Sequence, residues 1–204
     1  MHTLIVVSHP VADSLTHAIA QRIADSVVQS SAESTVEIAD LAAEGFDPRF
    51  GVADIAAFQG KAPLSAEVIA EQARIDRADA LVLVYPIYWW SMPGQLKGWI
   101  DRVFTNGWAF DDSGDGNVGK KLPHLNVHLV AIGGADQRTF ARHGYFGAMK
   151  TQIDHGIFDY CGAPVITSEL LISAEPMEAD AHFATAQALG RKIVATRQHK
   201  EIGA

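Results

Sequence analysis

The stretch that decides the fold is "ALVLVYPIYWWSMPGQLKGWIDRVF", residues 80–104. It begins with an apolar run, Ala80 to Pro86, that lacks the alternation of polar and apolar side chains typical of a half-exposed strand. Such a run predicts a strand that is buried on both faces. From Pro93 to Val103 the apolar residues recur at helical spacing behind a proline in the first turn, which predicts a helix. Three aromatic residues in succession separate the two elements.

The same alternation of apolar strands and amphipathic helices continues on both sides of this stretch. Further strands are predicted at Thr3 to Ser8, Ser34 to Leu41, Asn126 to Gly134 and Pro164 to Ser173. Further helices are predicted at Ser14 to Val28, Ser65 to Asp79, Phe146 to Gly162 and Met177 to Arg197. Residues 42–62 are mixed in character and carry turn chemistry. Buried strands that alternate with helices indicate an α/β protein, with a single domain over residues 1–204 built on a doubly wound, five-stranded parallel sheet with helices on both faces.

The composition narrows the classes of partner. The chain of 204 residues has a formal net charge of -8, which argues against nucleic acid as a ligand. An anionic cofactor would have to be held by backbone N–H groups and helix dipoles. The single cysteine, Cys161, excludes an internal disulfide, and we interpret it as a small buried apolar residue. With no basic amino-terminal segment and no run of roughly 20 apolar residues, we expect a cytoplasmic protein without direct membrane insertion.

Three motif matches fail in their structural context. The segment Gly114 to Lys121 fits the string G-x-G-x-x-G, but Pro123 and a strand follow where a helix is needed, so we interpret it as a glycine-rich loop. The acidic segment "DDSGDG" has Leu122 where a calcium loop requires a bidentate glutamate. His124 and His128 are four residues apart, but no acidic ligand completes a metal site. None of the three matches therefore predicts a ligand.

Three loops are better candidates for a binding site, because ligands of open α/β sheets lie beyond the carboxyl ends of the strands. These loops are "SHPVADSLT" after the first strand, "YPIYWW" after the third and "IGGADQ" after the fourth, and we expect them to meet at one edge. The first loop places His9 and Ser14 before a helix, where free N–H groups and the helix dipole favour a phosphate; Ser14 and Thr16 add hydroxyl groups. The alternative is that Asp13 or Ser14 only caps the helix.

The other two loops also allow two interpretations each. The aromatic residues Tyr88, Trp89 and Trp90 can form a wall for a flat ring system, or they can pack against a partner subunit. Gly133 and Gly134 let a ligand approach the backbone closely, or they form a tight turn. The residues alone leave both pairs of alternatives open.

These motifs together resemble a known family. The stretches "SHPVADSLTHAI", "YPIYWWSMPGQLKGWIDRVF", "GWAF", "IGG" and "HGIFDYCG" are similar to those of the flavodoxin-like NAD(P)H:quinone oxidoreductases, which include DT-diaphorase and shorter bacterial forms. The resemblance spans roughly residues 4–173 and implies a flavodoxin-like fold, a homodimer with shared active sites, and a bound flavin. For a chain this short we favour FMN, with FAD not excluded. It further implies hydride transfer from NADH or NADPH, through the flavin, to a quinone-like acceptor.

The resemblance also implies roles for particular residues. The flavin phosphate region would be held by the first loop, through His9, Ser14, Leu15 and Thr16. The isoalloxazine ring would be lined by Pro86, Ile87, Tyr88, Trp89 and Trp90, with Gly133 and Gly134 along its other edge. The "GWAF" segment would reach the substrate pocket of the neighbouring subunit with Trp108 and Phe110, for which core packing is the alternative.

Two further residues are candidates for stabilising the negative charge that develops on a reduced flavin. In mammalian relatives a tyrosine and a histidine after the glycine pair have this role. His143 with Gly144 matches the family's His-Gly, but Phe140 stands where the tyrosine is expected, and Tyr145 follows the histidine instead. We therefore take His143 and Tyr145 as the candidate catalytic residues, with an ordinary loop histidine as the alternative for His143.

Short relatives of this family suggest two alternative functions. One is a flavin-binding ancillary subunit that activates a glutathione-gated potassium efflux system through protein contacts. The other is a reductase of azo or nitro compounds, which differs only in its electron acceptor. The sequence shows no clear clamp for a 2′-phosphate, so the choice between NADH and NADPH stays open.

Overall fold

The structure is a computed structural model that describes residues 1–112, 114, 116–172 and 179–202, without the side chains of residues 179 and 197–202. The first half of the chain forms β1 (His2–Val7), α1 (Leu15–Ser30), β2 (Thr35–Asp40), α2 (Val52–Phe58), α3 (Ala66–Asp76), β3 (Ala80–Pro86) and α4 (Gly94–Val103). The second half forms β4 (Phe110–Asp112), β5 (Val118–Lys120), β6 (Asn126–Gly133), α5 (Gln137–His143), α6 (Tyr145–Met149), a π-helical segment (Lys150–Asp159), β7 (Val165–Ile172) and α7 (Ala179–Ile202).

The central sheet has five parallel strands in the order β2-β1-β3-β6-β7. Val82 in the middle of β3 pairs with Ile5 of β1 on one side and with His128 of β6 on the other. The sheet grows outward from β1 to β2, and then in the opposite direction from β3 to β7. The strand order therefore reverses between β1 and β3, as in a doubly wound sheet. The predicted five-stranded parallel sheet is confirmed.

Helices cover both faces of the sheet because successive side chains of a strand point to opposite sides. Leu81 and Leu83 of β3 belong to a core formed with α3, α4 and the π-helical segment. Val82 and Val84 belong to a second core formed with α1 and α7. Burying one such side chain stabilises a fold by about 1.5–3 kcal/mol, so β3 anchors both layers at once.

The structure also contains short elements that the sequence analysis did not predict. The mixed segment 42–62 includes α2, the loop Gly114 to Lys121 includes β5, which pairs antiparallel with β4, and α5 follows β6. The interpretation of that second segment as loop throughout is therefore wrong. These elements have only three to seven residues, which is too few to show a periodic pattern. The predicted end of a strand at Ser173 and start of a helix at Met177 lie outside the described residues.

Helix α4 is held tightly, which fixes the position of the aromatic loop that precedes it. A Cβ atom added at Gly98 would lie 2.1 Å from the carbonyl oxygen of Pro48, so only glycine lets this helix approach that backbone. One turn later, Arg102 donates hydrogen bonds to Asp54 on α2 at 3.1 Å and to the carbonyl oxygen of Asp47 at 2.6 Å. The aromatic loop therefore starts from a rigid strand and ends at a rigid helix.

Two observations bear on the expectations from composition. Cys161 is buried, as predicted, and this burial raises the pKa of its thiol to about 11. The thiol is therefore protonated at neutral pH. Within the described part of the chain, no helix combines the length and the apolar character that a membrane crossing requires.

Candidate functional site

The loops after β1, β3 and β6 lie side by side because these three strands are neighbours in the sheet. The N–H of Ser8 donates to the carbonyl of Val84 at 3.3 Å, and the N–H of Ile87 donates to the carbonyl of Ile132 at 2.8 Å. Both bonds extend the pairing to the point where the loops begin. The expected meeting of the three loops at one edge is therefore confirmed.

A strained reverse turn presents the aromatic residues at this edge. Tyr88 and Ser91 exchange two backbone hydrogen bonds of 3.0 and 3.1 Å, which close a two-residue turn. Trp89 and Trp90 at its centre have φ angles of 50° and 61°, in the left-handed region that favours glycine or asparagine. A residue with a Cβ atom costs about 1–2 kcal/mol in that region. The strand and helix on either side thus hold two tryptophans in a conformation that suits smaller residues.

The two tryptophans have different surroundings. The side chain of Trp89 is 93% exposed. The ring of Trp90 stacks on Tyr145, with centroids 3.8 Å apart and planes 12° from parallel, and meets Phe140 edge-on at 5.3 Å. His143 lies on Tyr145 at 5.4 Å. Trp90 therefore joins both candidate catalytic residues in one aromatic cluster, defined here as Trp90, Phe140, His143 and Tyr145.

A cavity of about 160 Å³ lies against this cluster and is lined by Ile87, Trp89, Trp90, Gly133, Gly134, Ala135 and Phe140. At Gly133 an added Cβ atom would lie 3.3 Å from Ile87 and 3.5 Å from Phe140, whereas at Gly134 it would meet nothing within 4 Å. Bare backbone thus forms one wall of the cavity, and aromatic rings form another. The structure brings together five of the predicted ring-lining residues: Ile87, Trp89, Trp90, Gly133 and Gly134.

Two members of the aromatic cluster, His143 and Tyr145, carry polar groups on its outer part. Phe140, at the position where a tyrosine was expected, is fully buried and has no hydroxyl. Tyr145 is half-buried and His143 is exposed, so their polar atoms lie nearer to solvent. Gly144, with a φ of 72°, ends α5 after His143 and lets the chain turn into α6 at Tyr145. These two side chains are candidate hydrogen-bond donors beside the indole N–H groups of Trp89 and Trp90.

The first loop forms a separate, polar part of the same edge. Ser14 is the N-cap of α1 and accepts a hydrogen bond from the N–H of His17 at 3.3 Å. The N–H groups of Leu15 and Thr16, in the first helical turn, have no acceptor within the helix. Thr16 is only 2% exposed, so neighbouring residues cover both its hydroxyl and its backbone. The ring of His9 accepts a hydrogen bond from the N–H of Val11 at 3.1 Å when its Nδ1 is unprotonated.

Sequence reasoning missed a further pair of residues next to this loop. His17 lies between Ser14 and Asp40, 2.8 Å from each, and Asp40 ends β2. The serine three residues before a histidine was visible in the sequence. The partner on β2 was not, because only the parallel pairing of β1 with β2 brings Asp40 to the start of α1.

The structure places the "GWAF" pair away from the cavity of its own chain. Trp108 donates from Nε1 to Asp76 on α3 at 3.0 Å and packs edge-on against Phe104. Phe110 packs against Tyr160 at 5.2 Å. Both aromatic residues are half-buried, so part of each ring faces outward. Their predicted role in the pocket of a neighbouring subunit stays a prediction.

A family model described as a flavodoxin-like fold matches residues 1–193. The chain belongs to this family. The rat ribosyldihydronicotinamide dehydrogenase (quinone) is 30% identical to it over 160 residues, which cover 69% of each chain. The Escherichia coli K12 protein named uncharacterized NAD(P)H oxidoreductase YcaK is 35% identical over 142 residues, covering 69% of this chain and 68% of its own. The family expected from the sequence motifs is therefore confirmed.

Solved structures share the flavodoxin-like fold. The NAD(P)H:quinone oxidoreductase from Methanothermobacter marburgensis has a TM-score of 0.85 at 24% identity, covering 94% of this chain and 98% of its own. An FMN-dependent NADH-azoreductase from Bacillus anthracis in complex with FMN has a TM-score of 0.74 at 16% identity, covering 94% and 98%. At these identities the likeness supports the fold, and the prediction of a flavodoxin-like, doubly wound sheet is confirmed.

We expect the substitution Trp89→Asn to stabilise the flavodoxin-like domain. Asparagine tolerates the left-handed region, and the indole of Trp89 is almost fully exposed, so the change relieves strain without opening a core. The free energy of unfolding, measured by urea denaturation, should rise by about 0.5–1 kcal/mol. Trp89→Ala is the matched control, because it removes the indole but keeps a residue unsuited to this region. An equal gain for alanine would contradict the strain argument.

Proposed function

We propose that the protein is a flavin-dependent NAD(P)H:quinone oxidoreductase, with FMN as the favoured flavin. The observation that carries the proposal is that a helix start and a cavity walled by glycine backbone and aromatic rings share one edge of the sheet, beside the β1/β3 switch point. Ligands of open α/β sheets bind at such switch points. The quinone dehydrogenases among its relatives support the same class of reaction.

The residues of the first loop fit the phosphate end of a flavin. In this proposal the N–H of Leu15 binds the phosphate, with help from the α1 dipole, while Ser14 and His9 lie beside it and Thr16 packs beneath it. A local site of this kind is needed because the chain has a net charge of -8 and offers no overall attraction to an anion.

The cavity beside the aromatic cluster has room for one edge of the isoalloxazine ring of the flavin. Open space at Gly134 leaves room for a flat group to approach the backbone, and a side chain there would fill it. In this proposal the backbone of Pro86 to Tyr88, with Trp89 and Trp90, lines the ring. The cavity is too small to hold the whole ring, which would lie partly outside it toward solvent and a second subunit.

The cofactor would supply the hydride chemistry, and the chain would control its surroundings. Trp90 and Phe140 exclude water from one side of the cavity because their rings are packed against each other. The hydroxyl of Tyr145 and an N–H of His143 would donate hydrogen bonds to negative charge that develops during reduction. NADH or NADPH would deliver the hydride, and a quinone-like acceptor would then take its place.

The first experiment is to purify the protein, record its visible spectrum and identify any extracted flavin. We expect a yellow protein with FMN that bleaches when NADH or NADPH is added without oxygen and recovers when a quinone follows. Comparing the two nucleotides would identify the donor. A protein that binds neither FMN nor FAD would overturn the proposed function. Bleaching that only an azo or nitro compound reverses would change the acceptor but not the cofactor.

Substitutions in the aromatic cluster test the roles of its polar groups. Tyr145→Phe keeps the stack on Trp90 but removes the hydroxyl, and His143→Gln removes the imidazole from an exposed position. We expect each to slow flavin reduction by NAD(P)H at least about tenfold in stopped-flow absorbance, with flavin still bound. His124→Gln is the control, because it changes an exposed histidine just before β6, at the opposite edge of the sheet. Unchanged rates in both cluster variants would assign the charge stabilisation to backbone N–H groups.

We also propose that the protein is a homodimer. An apolar patch is exposed around α2, where the side chains of Phe50, Val52, Ile55 and Phe58 are between 46% and 84% exposed. A cavity of about 400 Å³ borders the patch, between Phe58 and Phe104. Soluble monomers rarely expose contiguous apolar patches of this kind, so a second copy is its proposed cover. In a dimer, the second copy would also cover the outward faces of the Trp108 and Phe110 rings.

Sedimentation equilibrium tests this assembly. We expect the wild-type mass to be about twice the 22.0 kDa of one chain. Ile55→Glu should shift it to the monomer, because a carboxylate in an apolar interface loses its hydration without a partner. Ile69→Glu is the control, since Ile69 is similarly exposed but lies on α3. A wild-type monomer would refute the dimer and leave the flavin proposal standing.

A further inference from the structure

The ring of His17 bridges the start of α1 and the end of β2. Its Nδ1 lies 2.8 Å from Oγ of Ser14, and its Nε2 lies 2.8 Å from Oδ2 of Asp40. The side chains of His17 and Asp40 are only 17% and 21% exposed. Ser14 is therefore the cap of the helix, a neighbour of the proposed phosphate and the partner of a histidine at the same time.

The charge on Asp40 determines which atom carries each proton. Burial alone would raise the pKa of Asp40, but hydrogen bonds from His17 and from the N–H groups of Ala43 and Ala42 outweigh it and hold the pKa below its ordinary value. An ionised carboxylate only accepts hydrogen bonds, so Nε2 of His17 carries a hydrogen. On a neutral imidazole Nδ1 is then an acceptor, and the hydroxyl of Ser14 donates its one hydrogen to it.

We propose that binding of the flavin phosphate at the start of α1 is coupled to uptake of one proton by His17, an inference that rests on the proposed function. While His17 is neutral, Ser14 has no hydrogen left for a phosphate oxygen. A protonated His17 donates from both ring nitrogens, to Asp40 and to Ser14. The Ser14 hydrogen is then free for the phosphate. The proton comes from solvent and moves to Nδ1, and no covalent bond of the flavin changes.

Binding without proton uptake would be less favourable for two reasons. If the Ser14 hydroxyl rotated toward the phosphate, Nδ1 of His17 would lose its donor in a site that is only 17% exposed. The carboxylate of Asp40 would also face the phosphate with a neutral ring between them, whereas a cationic ring separates the two negative groups. His17 is therefore a positioning residue that acts through Ser14.

Among the described residues around His17, one other group is a histidine. His9 faces the ring of His17 edge-on at 6.2 Å, and its Nδ1 lies 3.1 Å from the backbone nitrogen and 3.2 Å from the carbonyl oxygen of Val11, so this ring nitrogen is already engaged with Val11 in either tautomer. Asp13 and Gln21 line the same cavity as His17, and the described residues that line it include neither lysine nor arginine. A positive charge beside the phosphate must therefore come from a histidine.

The test is the pH dependence of FMN binding to the flavin-depleted protein, measured by quenching of flavin fluorescence between about pH 7 and pH 8.5. In this range the phosphate of FMN is already mostly a dianion, because its second pKa is about 6. The bound state holds one more proton than the free protein, so the affinity for FMN falls as the pH rises. We expect the affinity to fall by up to about tenfold per pH unit. Riboflavin, which lacks the phosphate, should show no such dependence.

Two variants separate proton uptake from simple damage to the site. His17→Gln removes the titrating ring, so its FMN affinity should not change with pH. In Asp40→Asn the amide oxygen can still accept from Ala42 and Ala43, which turns the amide N–H₂ toward His17 and makes Nε2 an acceptor. Nδ1 then carries the hydrogen permanently and donates to Ser14. This variant should bind FMN independently of pH, and more tightly than wild type at pH 8.5.

His124→Gln, far from the first loop, is the control and should follow wild type. Tight FMN binding with the same pH dependence in wild type and His17→Gln would overturn this inference and leave the proposed function intact. The same holds if Asp40→Asn binds more weakly than wild type at pH 8.5. Absence of flavin binding at every pH would overturn the proposed function and, with it, the coupling.

Discussion

Burial of β3 between β1 and β6 is the constraint on which the rest of the structure depends. A strand with apolar side chains on both faces must be covered on both sides, and here helices cover it and both of its neighbours run parallel to it. The carboxyl ends of the three strands then open onto one edge. The parallel order of these neighbouring strands therefore brings three segments together at that edge: the aromatic turn, the glycine pair and the first loop.

The site combines a rigid frame with a locally unfavourable backbone. Trp89 and Trp90 keep left-handed φ angles because the turn follows a strand that is buried up to Tyr85 and ends at a helix packed closely against Pro48. Their rings gain positions that a relaxed turn of glycine and asparagine would not provide. Ser91 adds a link to the π-helical segment by donating to Gln152 at 2.7 Å. Strain of this kind persists where the surrounding structure determines the conformation, and it is common at functional sites.

The order of the main strands and helices could be predicted from the sequence, but the local geometry of the site could not. The strands around β3 were predictable because long apolar runs have few alternatives in a parallel sheet. The aromatic residues were visible as candidates, but the left-handed turn was not, since neither glycine nor asparagine marks it. The link between His17 and Asp40 joins residues 23 positions apart, and each looks like an ordinary surface residue until β2 pairs with β1.

The buried cysteine has a consequence for the chemical resistance of the protein. Quinones are electrophiles that add to thiolates, and the thiolate rather than the thiol is the reactive form of cysteine. With a pKa of about 11 and 3% exposure, Cys161 is almost entirely uncharged and out of reach at neutral pH. Because it is the only cysteine of the chain, the protein presents no easily alkylated sulfur and forms no disulfide within itself. An enzyme built in this way would not be inactivated through cysteine by the compounds that it reduces.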